Sequence, residues 1–105
     1  MRIEFIVKPE ARSDLLALLR PRSRSALDAI LRAQLFVEDN ENQFLKTGEP
    51  RIDARVVRSG EHGYWWLYID GIWIGFRRED TVSRLFKLKT RIVTFHSAVA
   101  SPPRA

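Results

Sequence analysis

The hydrophobic pattern of the chain peaks between Tyr64 and Arg78, YWWLYIDGIWIGFRR, where two apolar runs flank Asp70-Gly71. Asp-Gly between such runs predicts a two-residue hairpin turn, because both residues tolerate positive φ. The turn sets the pairing: Ile69 faces Ile72, Tyr68 faces Trp73, Leu67 faces Ile74, Trp66 faces Gly75, Trp65 faces Phe76 and Tyr64 faces Arg77. Cross-strand partners share a face and faces alternate along each strand. One face is therefore Trp65, Leu67, Ile69, Ile72, Ile74 and Phe76, which predicts core. The other is Tyr64, Trp66, Tyr68, Trp73, Gly75 and Arg77, four aromatics with a gap and a terminal cation.

The remaining elements follow from periodicity. Arg2 to Lys8 alternates loosely, with Ile3, Phe5 and Val7 on one side, and predicts a first strand. Pro9 suits the first position of a helix, and Ala11, Leu15, Leu18 and Leu19 form one helical stripe until Pro21 ends it. Ser23 or Ser25 caps a second helix, with Asp28 three residues after Ser25 and an expected buried stripe of Leu27, Ile30, Leu31 and Leu35. So short a connection predicts an antiparallel helical hairpin. Glu38 to Asp53 is a long polar connection, with Phe44 and Leu45 expected to pin it to the core. Ala54–Ser59 predicts a short strand, and Gly60 and Gly63 bracket a loop before the hairpin. Glu79-Asp80-Thr81 is expected as a turn or helix start. Val82–Lys89 fits a short helix as well as a strand, and Arg91–Phe95 predicts a closing strand. The expected fold is α+β: an N-terminal strand, an α-helical hairpin, then an antiparallel sheet of three to five strands. Residues 1–96 form one domain and 97–105 a flexible tail.

Composition narrows the function classes. There is no cysteine, and the two histidines stand apart from any metal-ligand spacing, so neither a metal nor another cofactor is expected. The apolar runs are short and the N-terminus lacks an unbroken apolar signal region, so a cytoplasmic protein with no membrane association is expected. Net charge is +5. Residues 1–53 hold nine Lys/Arg and nine Asp/Glu, whereas residues 54–105 hold nine against four. The excess falls in the half that contains the hairpin, which points to a polyanionic partner, with a plain solubilised surface as the alternative.

Order and local text resemble the RelE/ParE toxins of the barnase–colicin–RelE nuclease group. IEFIVKPEARSDLLALL is similar to the family's opening strand and helix with an Ala-x-x-Asp-Leu-like core, here Ala11, Asp14 and Leu15. ARVVRSGEHGYWWLYIDGIWIGFRRE is similar to its central strands, and RIVTFHS to the closing strand of relatives in the wider group. The pattern covers roughly residues 2–80 and contains no invariant motif. One departure is specific: Trp65 stands where RNA-cleaving members carry an arginine, and the hairpin pairing turns it to the core face.

The resemblance implies a metal-independent endoribonuclease toxin that cleaves mRNA or tRNA, ribosome-bound or free, by 2′-OH attack and is neutralised by an acidic antitoxin. That reaction needs a base, an acid and cations on phosphate. The candidate catalytic residues are His62, Tyr64, Arg77 and His96, and the candidate nucleic-acid contacts are Arg58, Trp66, Tyr68, Trp73, Arg78 and Arg91. Each has a plainer reading: His62 as a surface loop residue, Arg77 as a cation–aromatic partner of Tyr64, the other arginines as strand-edge charges. Two further functions stay open. One is a non-catalytic module that binds RNA or protein on the aromatic face; the other is a toxin of the same fold that inhibits an enzyme such as gyrase.

Overall fold

The computed structural model describes residues 2–22, 25–39, 56–58, 64–69, 71–85 and 87–101. The architecture is α+β. Strand β1 is Arg2–Val7, helix α1 Pro9–Leu19 and helix α2 Ala26–Asp39; β2 is Val56–Arg58, β3 Tyr64–Ile69, β4 Ile72–Val82 and β5 Lys89–Val99. The sheet runs β1-β5-β4-β3-β2. Strands β2 to β5 form an antiparallel meander, and β1 joins the edge parallel to β5, so the sheet is mixed.

Helix α1 starts where the extended Lys8 meets Pro9, whose missing N–H costs nothing in a first turn. It buries Ala11, Leu15 and Leu19, and one 3-10 turn, Arg20–Arg22, follows it. Ser25 caps α2: its hydroxyl oxygen accepts from the Asp28 N–H at 3.3 Å. The buried side of α2 differs from the expected leucine stripe. Ala26, Ala29, Ile30, Ala33 and Val37 are buried, while Leu27, Leu31 and Leu35 are exposed. The buried side of α2 thus carries three alanines with Ile30 and Val37, and its leucines fall on the exposed side.

The six hairpin pairs between β3 and β4 match those fixed by the Asp70-Gly71 turn. Gly71 takes a φ of 80°, the left-handed region in which a Cβ is unfavourable; Asp70 lies outside the described residues. Trp65, Leu67, Ile72, Ile74 and Phe76 are buried under the helices with Val93, Phe95 and Ala98 of β5. Helix α1 lies over β5, where the Ala98 N–H donates to Asp14 Oδ2 at 3.2 Å, and α2 lies over β3.

Three expectations are corrected at the C-terminal end. Glu79-Asp80-Thr81 continues β4 as a strand, and β4 and β5 are joined by a turn rather than a helix or strand, closed by Ser83 N–H to the Leu88 carbonyl at 3.0 Å. Strand β5 runs on through Val99, past the expected start of the tail at Ser97. Phe44, Leu45 and most of the polar connection lie outside the described residues. No helix among the described residues is long and apolar enough to cross a membrane.

Candidate nucleic-acid interface

The face of the sheet away from the helices collects the aromatic positions. Tyr64, Trp66 and Tyr68 come from β3, and Trp73, Gly75 and Arg77 from β4. Strand β5 adds Thr94 opposite Arg77 and Ser97 opposite Gly75. Between them the ladder slips by one residue at Gly75/Phe76, and the extra residue on β5 is His96. A bulge of this kind re-aims a side chain. Here it brings the His96 ring onto the aromatic face, edge-on to Tyr64 at 5.5 Å and to Trp66 at 5.9 Å between centroids.

Gly75 makes the space for this. A Cβ at that position would stand 2.6 Å from His96 Cε1, 2.9 Å from Ser97 Oγ and 2.9 Å from Trp66 Cζ3. The glycine is needed because two rings, those of His96 and Trp66, close over it. The Ser97 hydroxyl lies 2.9 Å from His96 Nδ1 and fixes the ring, while Nε2 is buried.

At the turn end, Tyr68 and Trp73 stack obliquely with centroids 5.0 Å apart, and Tyr68 is exposed. At the other end the Arg77 guanidinium lies 5.5 Å from the Tyr64 ring centroid. Arg77 is exposed, and its 3.7 Å approach to Glu79 is a loose surface ion pair. The face thus runs from a Tyr–Trp pair, across Trp66 and the pinned histidine, to a tyrosine beside an accessible cation.

Tyr64, Trp66, Tyr68, Trp73, Arg77 and His96 are therefore brought together. Arg78 and Arg91 are not. Arg78 and Asp80 alternate with Arg77 and Glu79 along β4, and the register pairs them with Val93 and Arg91 on the helix-covered side. Arg91 is 2% exposed and donates from Nε to Asp80 Oδ1 at 2.7 Å and from its terminal nitrogen to Oδ2 at 3.0 Å. A guanidinium held this way is committed to the fold, which corrects its candidacy as a phosphate ligand. The same hydrogen bonds, more than the opposing burial, hold the Asp80 carboxyl below its ordinary value. Backbone register pairs Arg58 with Trp65, but its side chain, like His62, lies outside the described residues. Among the described residues, no group of three His, Asp or Glu side chains is arranged to hold a metal ion.

Sequence reasoning missed Ser97, assigned to the tail, and the bulge that turns His96 inward. A bulge leaves no local signature, because it is a mismatch between two strands rather than a property of one. No family model matches the chain, and no curated protein and no solved structure is significantly similar to it.

Proposed function

We propose that the helix-free face of the sheet binds single-stranded RNA, with Trp66, Tyr68 and Trp73 stacking bases and Arg77 contacting phosphate. The observation that carries this reading is the alignment of those four side chains on one face of the sheet, Trp66 and Trp73 half-buried and Tyr68 and Arg77 exposed at its two ends. Aromatic side chains on an antiparallel sheet offer flat surfaces to unpaired bases, and an adjacent guanidinium offers charge to the backbone. The basic excess of residues 54–105 supports a polyanionic partner.

A second reading, the RelE/ParE-like endoribonuclease toxin of mRNA or tRNA with an acidic antitoxin, is favoured by the meeting of His96, Tyr64 and Arg77 at one end of the face. It ranks second for a physical reason. A general base must present a nitrogen to the 2′-OH. His96 Nδ1 is held against Ser97 Oγ and Nε2 is buried, so cleavage requires this ring to leave its slot.

Incubation of the protein with labelled single-stranded RNA in EDTA separates the readings. Intact RNA bound by the wild type, and bound at least ~10-fold more weakly after Trp66→Ala or Trp73→Ala, supports the binding surface. Cleavage that His96→Ala abolishes while binding persists supports the nuclease. Absence of RNA binding at low salt sinks both.

A further inference from the structure

The turn between β4 and β5 carries apolar side chains that the fold does not cover. Leu85 is 88% exposed, Leu88 65% and Val82 60%. Strand β4 runs on from Arg77, its last partner on β3, to Val82 before the chain turns, so the turn lies at the end of β4 opposite the Tyr68–Trp73 pair. Two backbone hydrogen bonds close it: the Lys87 N–H donates to the Ser83 carbonyl at 2.9 Å, and the Ser83 N–H to the Leu88 carbonyl at 3.0 Å. Leu85 is therefore presented outward by a hydrogen-bonded turn. Within it Lys87 takes a φ of 52°, the left-handed region that favours glycine. The turn keeps an amine where a glycine would sit with less strain.

The charges around these side chains indicate the partner. Residues 82–89, VSRLFKLK, hold three basic side chains and no acidic one. Arg84, Lys87 and Lys89 are all exposed. Asp80 is the last acidic side chain of the sequence, and two hydrogen bonds from Arg91 engage it. The turn thus presents aliphatic groups and positive charge together, and a complementary partner must receive both.

We propose that this turn attaches the protein to an anionic phospholipid surface. Leu85, flanked by Leu88 and Val82, enters the boundary between headgroups and acyl chains, and Arg84, Lys87 and Lys89 meet the acidic headgroups. Apolar side chains among cations are the combination that such a surface rewards, the first by burial and the second by the negative surface potential. RNA would satisfy the cations, but it binds flat aromatic and charged groups and gives three aliphatic side chains no cover. An acidic protein could cover both, but a stable interface buries about 800 Å² on each partner, more than one hairpin turn offers. A lipid surface needs no such area, because each inserted side chain and each cation adds its own share. No helix among the described residues could cross a membrane, and attachment to one leaflet requires none. The aromatic pair Tyr68–Trp73 lies at the other end of β4, so the inference stands apart from the function proposed for that face.

Co-sedimentation of the full chain with phosphatidylcholine vesicles, with and without phosphatidylserine, tests this. Binding is expected to the vesicles that contain phosphatidylserine and not to phosphatidylcholine alone. Leu85→Asn, at an exposed position, is expected to keep the circular dichroism spectrum and weaken binding at least ~10-fold. Lys87→Asn removes one charge and suits the left-handed backbone, so it is expected to leave the melting temperature unchanged or raised while binding falls about five-fold. The chain has no cysteine, so Leu85→Cys can carry an environment-sensitive dye at a single site. Its emission is expected to move to shorter wavelength on anionic vesicles, and that of the same dye on Leu35→Cys in α2 to stay in place. Failure to bind anionic vesicles at low salt overturns the proposal. Binding that Leu85→Asn leaves unchanged, or a dye shift in the α2 variant alone, overturns it equally. So does a loss of RNA affinity in the two turn variants with vesicle binding intact, which would assign the turn to nucleic acid.

Discussion

Gly75 shows how one residue sets the form of the aromatic face. Its side of β4 has no side chain, and the rings of Trp66 and His96 close over the vacant position with the Ser97 hydroxyl beside them. Gly75→Ala forces an added methyl to within 3 Å of all three. Trp66 and His96 are both half-buried, and each is in contact with the other, so neither can yield alone. The expected cost is about 1–3 kcal/mol of stability, the range for overpacking a filled site. Thermal unfolding measures that loss. The NMR shifts of the His96 ring protons test the positional part: Tyr64 and Trp66 displace them through their ring currents, and release from the slot moves them toward those of a free imidazole. An alanine variant with unchanged melting temperature and unchanged His96 shifts would mean that the cradle is looser than its distances indicate. The role of this glycine was partly legible in sequence, since a glycine opposite a tryptophan implies an aromatic lying over exposed backbone. The histidine over the same position was not, because its placement depends on a one-residue slip between two separate strands.

Among the elements, the β3–β4 hairpin was the most legible. A two-residue turn fixes every pair that follows, and alternation then assigns each side chain to a face. The end of β4 was the least legible, because Arg77-Arg78-Glu79-Asp80-Thr81 has the charge density of a surface turn. It persists as a strand because β5 supplies the matching partner: Arg91 lies opposite Asp80 and forms two hydrogen bonds with it. Helix α2 was misjudged for a different reason. Hydrophobicity favoured its leucines for the core, but the side of the helix that is buried carries its alanines with Ile30 and Val37. The Asp80–Arg91 pair carries a prediction at this scale. Asp80 titrates below its ordinary value of 3.8, so its contribution is complete above about pH 4 and is lost as pH falls through the lowered value. Asp80→Asn should flatten the dependence of unfolding free energy on pH between about 4 and 2. Asp80→Ala leaves the buried guanidinium without its carboxylate and should cost about 2–3 kcal/mol, moderated by the partial exposure of Asp80. Replacing the pair by Leu and Met together should recover most of that loss. Denaturant titrations of the wild type and these variants decide it; a double variant no more stable than Asp80→Ala would show that the charges themselves are required.

At the scale of the molecule, net charge overstates what is available to an anionic ligand. The whole +5 excess falls within residues 54–105, yet Arg91 is neutralised inside the fold and Arg78 lies on the helix-covered side of the sheet. Arg77 is the described cation on the aromatic face, while Arg84, Lys87 and Lys89 stand exposed at the β4–β5 turn. Binding built on stacking with few phosphate contacts has a recognisable salt dependence. Each phosphate neutralised on a single strand contributes a slope of about −0.7 in log affinity against log salt concentration. Arg77→Ala should therefore reduce the magnitude of the slope by about 0.7, and its effect on affinity should shrink as salt rises. Trp66→Ala and Trp73→Ala should each lower affinity by about 1–3 kcal/mol at every salt concentration and leave the slope unchanged, because stacking releases no counterions. Fluorescence anisotropy with a labelled oligonucleotide from about 50 to 300 mM salt distinguishes the two effects. A slope that changes in the tryptophan variants and not in Arg77→Ala would reverse the assignment of stacking and charge. A wild-type slope near zero would instead separate the aromatic face from nucleic acid and leave it as a surface for protein.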